Sequence, residues 1–212
     1  MRTLLAAVAL LLAAPLLAAC GDEGDTTATD PGSSDPGSSR PARMPTEIPA
    51  ARGTVHTSGL VTVMDKGSPE LCLGAVAESW PPQCGGPPIE GWDWADHHGV
   101  FERQQQVRWG QFVVTGTWDG STFGYQDAVP AALYDAMPIE EVPLPAPAVE
   151  HTQAELEDIA GEVGDLPGAQ GAYADAGQVL VDVVYDDGSL QAWADATYGT
   201  DVVIVRPALI DS

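Results

Sequence analysis

The densest group of potentially reactive side chains in this sequence lies at residues 92–98. Aromatic, acidic and imidazole groups alternate there, which is the composition of a binding lip. Indole rings offer stacking surfaces, and carboxylate and imidazole groups offer polar or metal contacts. We treat as candidate ligand-binding residues Trp92, Asp93, Trp94, Asp96, His97 and His98.

The same segment has a second interpretation, a surface loop whose tryptophans pack into the fold and whose polar groups face water. The adjacent side chains of His97 and His98 point apart on an extended chain, which disfavours joint binding of one ion. Acidic pairs such as Glu140-Glu141 and Asp186-Asp187 lack the spacing of a calcium loop. We assign no metal ligands, and a calcium- or zinc-binding ectodomain is kept as the alternative function.

Sequence motifs of common enzymes are missing from the chain. It has no Gly-x-Ser-x-Gly elbow, no His-Glu-x-x-His, no phosphate-binding Gly-x-x-x-x-Gly-Lys-Ser/Thr loop and no Cys-x-x-Cys. We therefore expect a non-enzymatic protein without a cofactor. A cell-envelope hydrolase is the weaker alternative, because the two carboxyl groups that cleave a glycosidic bond can lie far apart in sequence.

The charge balance excludes one class of partner. The 212 residues include 31 acidic and 8 basic side chains, for a formal net charge of -23. Binding to nucleic acid depends on lysine and arginine contacts with phosphates, so we expect no nucleic-acid partner.

Residues 1–19 are typical of a secretory signal peptide. Arg2 precedes an apolar run from Leu4 to Leu12, which is too short to span a bilayer, and Pro15 and small residues follow. The segment ends in Leu17-Ala18-Ala19-Cys20, which resembles the lipobox of bacterial lipoproteins. The resemblance implies that Cys20 carries acyl chains and anchors the protein to the outer face of the cell membrane.

Residues 20–50 are predicted to be a disordered tether. They are rich in Gly, Ser, Asp and Pro and include two consecutive copies of Asp-Pro-Gly-Ser-Ser. Such a composition buries too little apolar surface to offset the entropy of ordering the chain.

Cys72 and Cys84 are the two cysteines that remain after Cys20. In an exported protein two remaining cysteines are expected to form a disulfide. A zinc pair is the alternative, although no second cysteine pair or histidine lies at zinc-finger spacing.

The body of the chain predicts an α+β protein in two small domains. Short β-branched runs and an Asp119-Gly120 turn in residues 51–128 favour a small all-β domain, an OB-like barrel or a sandwich. Residues 129–149 form a proline-rich linker. In residues 150–212, a capping box at Thr152–Glu155 and two further apolar runs favour a small α+β sandwich.

Residues around the cysteines carry a second resemblance. The chain contains Leu71-Cys72-Leu73-Gly74, then Trp80-Pro81-Pro82-Gln83-Cys84-Gly85-Gly86-Pro87-Pro88, then Gly91-Trp92-Asp93-Trp94. Over residues 50–127 this pattern is similar to that of uncharacterised actinobacterial lipoproteins, and the similarity implies no particular activity. Taken together, these patterns predict a lipid-anchored extracytoplasmic binding protein. Its partner would be a protein or small molecule of the cell envelope, held by residues 92–98 or by the groove between the domains.

Overall fold

The computed structural model describes residues 43–135 and 143–212. Within these ranges no helix is both long enough and apolar enough to cross a membrane. The two α-helices are α1 (Gln153–Val163) and α2 (Ser189–Tyr198), and two short 3-10 helices span Trp94–His97 and Ala131–Leu133. The strands are β1 (Thr54–Thr57), β2 (Val61–Asp65), β3 (Pro69–Cys72), β4 (Ile89–Glu90), β5 (Glu102–Gln104), β6 (Val107–Trp118), β7 (Phe123–Pro130), β8 (Ala169–Asp175), β9 (Gln178–Tyr185) and β10 (Val203–Asp211).

The long strand β6 organises the N-terminal half of the sheet. Strands β2 and β1 lie end to end along one of its edges, and β5 and β7 lie end to end along the other. A bulge in the β6–β7 ladder at Thr115 and Gly116 shifts the register between the strands. Bulges bend a strand and increase its twist. The sheet accordingly curls into a half-barrel.

The C-terminal half continues the same sheet. Strand β10 pairs antiparallel with β1, parallel with β9, and β9 pairs antiparallel with β8. Helix α2 makes the crossover that a parallel β9–β10 pair needs. The expected α+β class is confirmed at this level. However, one hydrogen-bonded sheet runs through both segments that we expected to fold as separate domains, because β1 lies between β6 and β10.

Two large apolar cores lie on opposite sides of the C-terminal strands. One packs α1 and α2 against β9 and β10 and includes Leu156, Val181 and Trp193. The other fills the half-barrel around Phe112 and also takes in Tyr185 from β9. Strand β9 is buried on both faces for this reason, and it ties the two cores together.

Several local sequence signals produce the expected local structure. Thr152 and Glu155 form the predicted capping box at the start of α1, and Gly164 ends that helix. The β6–β7 turn is the predicted hairpin, with the Asp119 carboxylate accepting hydrogen bonds from the backbone N–H groups of Ser121 and Thr122. Gly120 has a φ of 98°, which favours glycine.

Two consecutive aspartates accept the free backbone N–H groups at the start of α2. The Asp186 carboxylate accepts hydrogen bonds from the backbone N–H groups of Leu190 and Gln191, at 2.9 and 3.2 Å. Asp187 accepts a 3.1 Å hydrogen bond from the backbone N–H of Ser189, the first residue of the helix. Two consecutive aspartates compete for the same free donors, and sequence spacing alone does not decide between them.

Residues 43–50, the last part of the predicted tether, contact the folded body. Met44 packs against the helix core and Ile48 against the half-barrel core. The Trp118 indole donates a 3.0 Å hydrogen bond to the carbonyl oxygen of Pro49. Residues 43–50 therefore belong to the folded unit, while residues 1–42, with Cys20 and the signal peptide, lie outside the described residues. In the proline-rich linker, residues 136–142 also lie outside them.

Candidate functional site

The predicted binding lip at residues 92–98 divides into a buried half and an exposed half. Asp93 caps the 3-10 helix Trp94–His97 through a 2.8 Å hydrogen bond from the Ala95 backbone N–H. This turn directs the rings of Trp92, Trp94 and His97 into the half-barrel core, where each is less than 9% exposed. The indole rings of Trp92 and Trp94, which we expected to stack against a ligand, are therefore buried inside the fold.

Trp94 is held by a buried carboxylate. Its indole donates a 3.0 Å hydrogen bond to Oδ2 of Asp65. The same oxygen accepts a 2.6 Å hydrogen bond from Arg108, the cross-strand neighbour of Asp65 on β6. Asp65 is 4% exposed, and both bonds compensate the cost of burying its charge. This network explains why Trp94 does not face solvent.

Trp92 and His97 stack on one another in the core. Their ring centroids lie 4.0 Å apart with an interplanar angle of 17°. Burial lowers the pKa of His97, and the nearby charges of Asp96, Asp93 and Asp127 oppose that shift only in part. Within the described residues, Nε1 of Trp92 and Nε2 of His97 are buried without a hydrogen-bond partner. The His97 ring thus packs inside the fold, and its burial favours the neutral form of the imidazole.

The remaining members of the lip, Asp93, Asp96 and His98, are exposed. Among residues 43–135 and 143–212, no three His, Cys, Asp or Glu side chains are arranged to share a metal ion. The six predicted residues do not form one open binding surface, because three of them are buried and three are exposed.

The predicted disulfide between Cys72 and Cys84 is present, with Cα atoms 5.9 Å apart. It closes a loop that leaves the end of β3 and crosses back over the sheet. Within this loop the backbone N–H of Ala77 donates to the carbonyl oxygen of Gln83 at 2.8 Å. After Cys84 the chain returns so close to β3 that a Cβ on Gly86 would collide with the Leu71 carbonyl oxygen. Both ends of the disulfide loop, residues 73–83, are therefore fixed beside β3.

The disulfide loop covers the outer face of β2 and β6, away from the half-barrel core. Thr62 lies opposite Gln111 in the β2–β6 ladder, and Trp109 lies opposite Glu102 in the β5–β6 ladder. Trp109 and Gln111 are two residues apart on one strand, so their side chains share a face. A hydroxyl, an amide, an indole and a carboxylate thus meet on one patch of sheet.

An open cleft of about 580 Å³ lies between this patch and the disulfide loop. We call it the Trp80 cleft. Trp80 projects from the disulfide loop and packs perpendicular to Trp109, with ring centroids 5.1 Å apart and an interplanar angle of 89°. Trp80 is nevertheless 65% exposed, whereas the five other tryptophans are each at most 8% exposed. A large exposed indole beside a cleft of this volume is the usual arrangement of a ligand site.

The exposed tryptophan beside the cleft is not one of the predicted ligand contacts. Trp80 is 65% exposed, whereas Trp92 and Trp94 are buried. The sequence contains a signal for the exposure of Trp80, because this residue lies between two paired cysteines and is followed by Pro81 and Pro82. A short loop closed by a disulfide has little room to bury its own tryptophan.

A second open cavity, of about 840 Å³, lies between the disulfide loop and the C-terminal strands. Its charged groups are Arg206 and Asp182. Arg206 donates to Oδ1 of Asp182 at 2.9 Å and to the Tyr173 hydroxyl at 2.7 Å. The guanidinium also lies over the Tyr173 ring. Because Arg206 is already neutralised and hydrogen-bonded, this cavity offers less free binding capacity than the Trp80 cleft.

Comparison of the chain with protein-family models, with curated proteins and with solved structures gave no significant match.

Proposed function

We propose that this protein is a lipid-anchored, extracytoplasmic binding protein of the cell envelope, and that the Trp80 cleft holds its ligand. The observation that carries the proposal is the contrast between Trp80 and the other tryptophans. A side chain that could bury a large apolar area is kept 65% exposed by a disulfide-closed loop. Exposed tryptophans at the centre of a concave surface are typical binding hot spots.

Binding without turnover fits the groups that line the cleft. Hydrolysis of a glycosidic bond uses a pair of carboxyl groups. Among the residues that line the Trp80 cleft, Glu102 is the single acidic side chain, and no histidine or cysteine lines it. The cleft therefore has the composition of a recognition site.

The location rests on the N-terminal sequence and on the disulfide. The Leu17-Ala18-Ala19-Cys20 sequence resembles a lipobox, and disulfides persist in compartments outside the cytoplasm. Because the folded body is acidic, anionic headgroups would repel it, so membrane attachment is assigned to the lipid on Cys20.

The experiment that tests the proposal is a sedimentation assay with isolated, washed cell-envelope fragments. The lipidated full chain is purified in a polyoxyethylene detergent and mixed with fragments, alongside Trp80→Ala and the control Ile210→Ala. Ile210 is also exposed and apolar but lies outside the cleft. We expect wild type and Ile210→Ala to pellet, and Trp80→Ala to lose about tenfold in affinity, as hot-spot tryptophans do. Equal pelleting of all three proteins would contradict the proposed site.

A further inference from the structure

We infer that the ligand of the Trp80 cleft is a neutral saccharide. This inference rests on the proposed function and adds the chemical class of the ligand. A pyranose ring presents an apolar C–H face and a rim of hydroxyl groups. It therefore needs an exposed aromatic face beside several free hydrogen-bonding groups, and both features occur in this cleft.

The aromatic face is supplied by Trp80. Its contact with Trp109 is perpendicular, so the two rings do not cover each other face to face. The indole thus stays available for stacking against a flat, weakly polar ligand surface. The cleft volume of about 580 Å³ lies within the range of sites for small molecules and accommodates a short oligosaccharide.

The hydrogen-bonding groups are supplied by the sheet beneath it. Thr62 and Gln111 are cross-strand neighbours that line the cleft. Neither side chain makes a hydrogen bond within the described residues, although Thr62 is only 6% exposed. The amide of Gln111 both donates and accepts, as does the hydroxyl of Thr62. Sugar hydroxyl groups, which also donate and accept, match this pair.

Charge narrows the ligand class further. No lysine or arginine lines the cleft, and Glu102 is its single ionisable side chain. The chain as a whole carries a formal net charge of -23. Phosphorylated or carboxylated ligands would meet repulsion without a compensating cation. Neutral saccharides avoid that cost, and the Glu102 carboxylate can accept hydrogen bonds from their hydroxyl groups.

The inference is tested by isothermal titration calorimetry on the lipidated full chain in a polyoxyethylene detergent, which lacks sugar headgroups. The probes are maltotriose, cellotriose, mannotriose and tri-N-acetylchitotriose, with an anionic hyaluronan tetrasaccharide as the charge control. We expect at least one neutral trisaccharide to bind and hyaluronan to bind more weakly. Trp80→Ala should weaken the binding about tenfold, Gln111→Ala should weaken it, and Ile210→Ala should leave it unchanged.

Failure of all four neutral probes, or tighter binding of hyaluronan, would overturn the saccharide inference. The proposed function is overturned by a different result, in the sedimentation assay: Trp80→Ala pelleting with envelope fragments as well as the wild type does. Trp80→Phe is the second variant in case Trp80→Ala fails to fold. It keeps an aromatic face, so it should retain more saccharide affinity than Trp80→Ala.

Discussion

Trp80 and Trp109 pack perpendicular to one another across the mouth of a cleft, with ring centroids 5.1 Å apart. Trp109 is 6% exposed and belongs to the sheet, whereas Trp80 is 65% exposed and belongs to the disulfide loop. Trp109 thus lies in the floor of the cleft, and Trp80 projects beside it from the disulfide loop. The two rings together form an aromatic wall of the Trp80 cleft, on the face of the sheet opposite the half-barrel core.

Removing the disulfide tests how the loop is held. We expect Cys72→Ser together with Cys84→Ser to lower the free energy of unfolding by about 3 kcal/mol, the chain-entropy value for a loop of this size. The sequence separation of the two cysteines is 12. Chemical denaturation followed by circular dichroism measures the change. Cys20→Ser is the matched control, and an equal loss in that variant would contradict the assignment of the effect to the disulfide.

Replacing Asp65 tests the network that buries Trp94. Asp65→Ala leaves the indole N–H of Trp94 and the Arg108 guanidinium without their acceptor. Arg108 is 38% exposed and can turn to water, but the indole N–H is buried, so we expect a loss of about 2 kcal/mol. Asp182→Ala is the control, because its ion pair with Arg206 has both side chains at least 40% exposed. Exposed pairs contribute roughly 1 kcal/mol or less. Urea unfolding should show a lower midpoint for Asp65→Ala than for Asp182→Ala. Equal losses of stability would contradict the assigned role of Asp65.

His97 should make the folded protein sensitive to mild acid. Burial lowers the pKa of His97 in the folded state below its ordinary value of 6.5. The unfolded chain therefore binds a proton at higher pH than the folded chain, and stability falls as the pH drops below about 6.5. Unfolding free energies between pH 7 and pH 5 measure this slope.

His97→Phe removes the titrating group and keeps the stack on Trp92, so part of the acid slope should disappear. His98→Gln is the control, because His98 is the exposed neighbour. An unchanged slope in His97→Phe, or an equal reduction in His98→Gln, would count against the buried neutral imidazole.

Lipidation of Cys20 is tested by expressing the full chain in a bacterial host fed an alkyne analogue of palmitate. We expect the wild-type protein to carry the label and to fractionate with membranes, because a cysteine at the end of a lipobox becomes acylated. Cys20→Ser should carry no label, while Cys72→Ser with Cys84→Ser should retain it. Label on the Cys20→Ser protein, or an unlabelled wild type, would contradict the anchor.

Structural features that depend on residues close together in the chain could be predicted from the sequence. Features that depend on contacts between distant residues could not. The capping box at Thr152, the turn at Asp119-Gly120 and the Cys72–Cys84 disulfide depend on residues close together in the chain. The burial of Trp94 depends on Asp65, and the continuous sheet depends on β1 pairing with β10 from near the other end of the chain. Nothing in the local pattern of either segment shows these partners.

The difference in exposure between Trp80 and Trp92 has the same physical cause. Trp80 and Trp92 both lie in segments rich in glycine and proline, and both precede a short turn. Trp92 finds a place beside Phe112 in the half-barrel core, with centroids 5.0 Å apart, and Trp80 does not. Which tryptophan stays exposed is decided by the space inside the curled sheet.

Hydroxyl-radical footprinting of the full chain, with and without envelope fragments and read out by mass spectrometry, tests whether the Trp80 cleft holds the ligand. The five buried tryptophans serve as internal controls, because each is at most 8% exposed. We expect strong oxidation of Trp80 in the free protein and clear protection of Trp80 in the bound protein. Binding to the fragments with unchanged oxidation of Trp80 would contradict the claim that the Trp80 cleft holds the ligand.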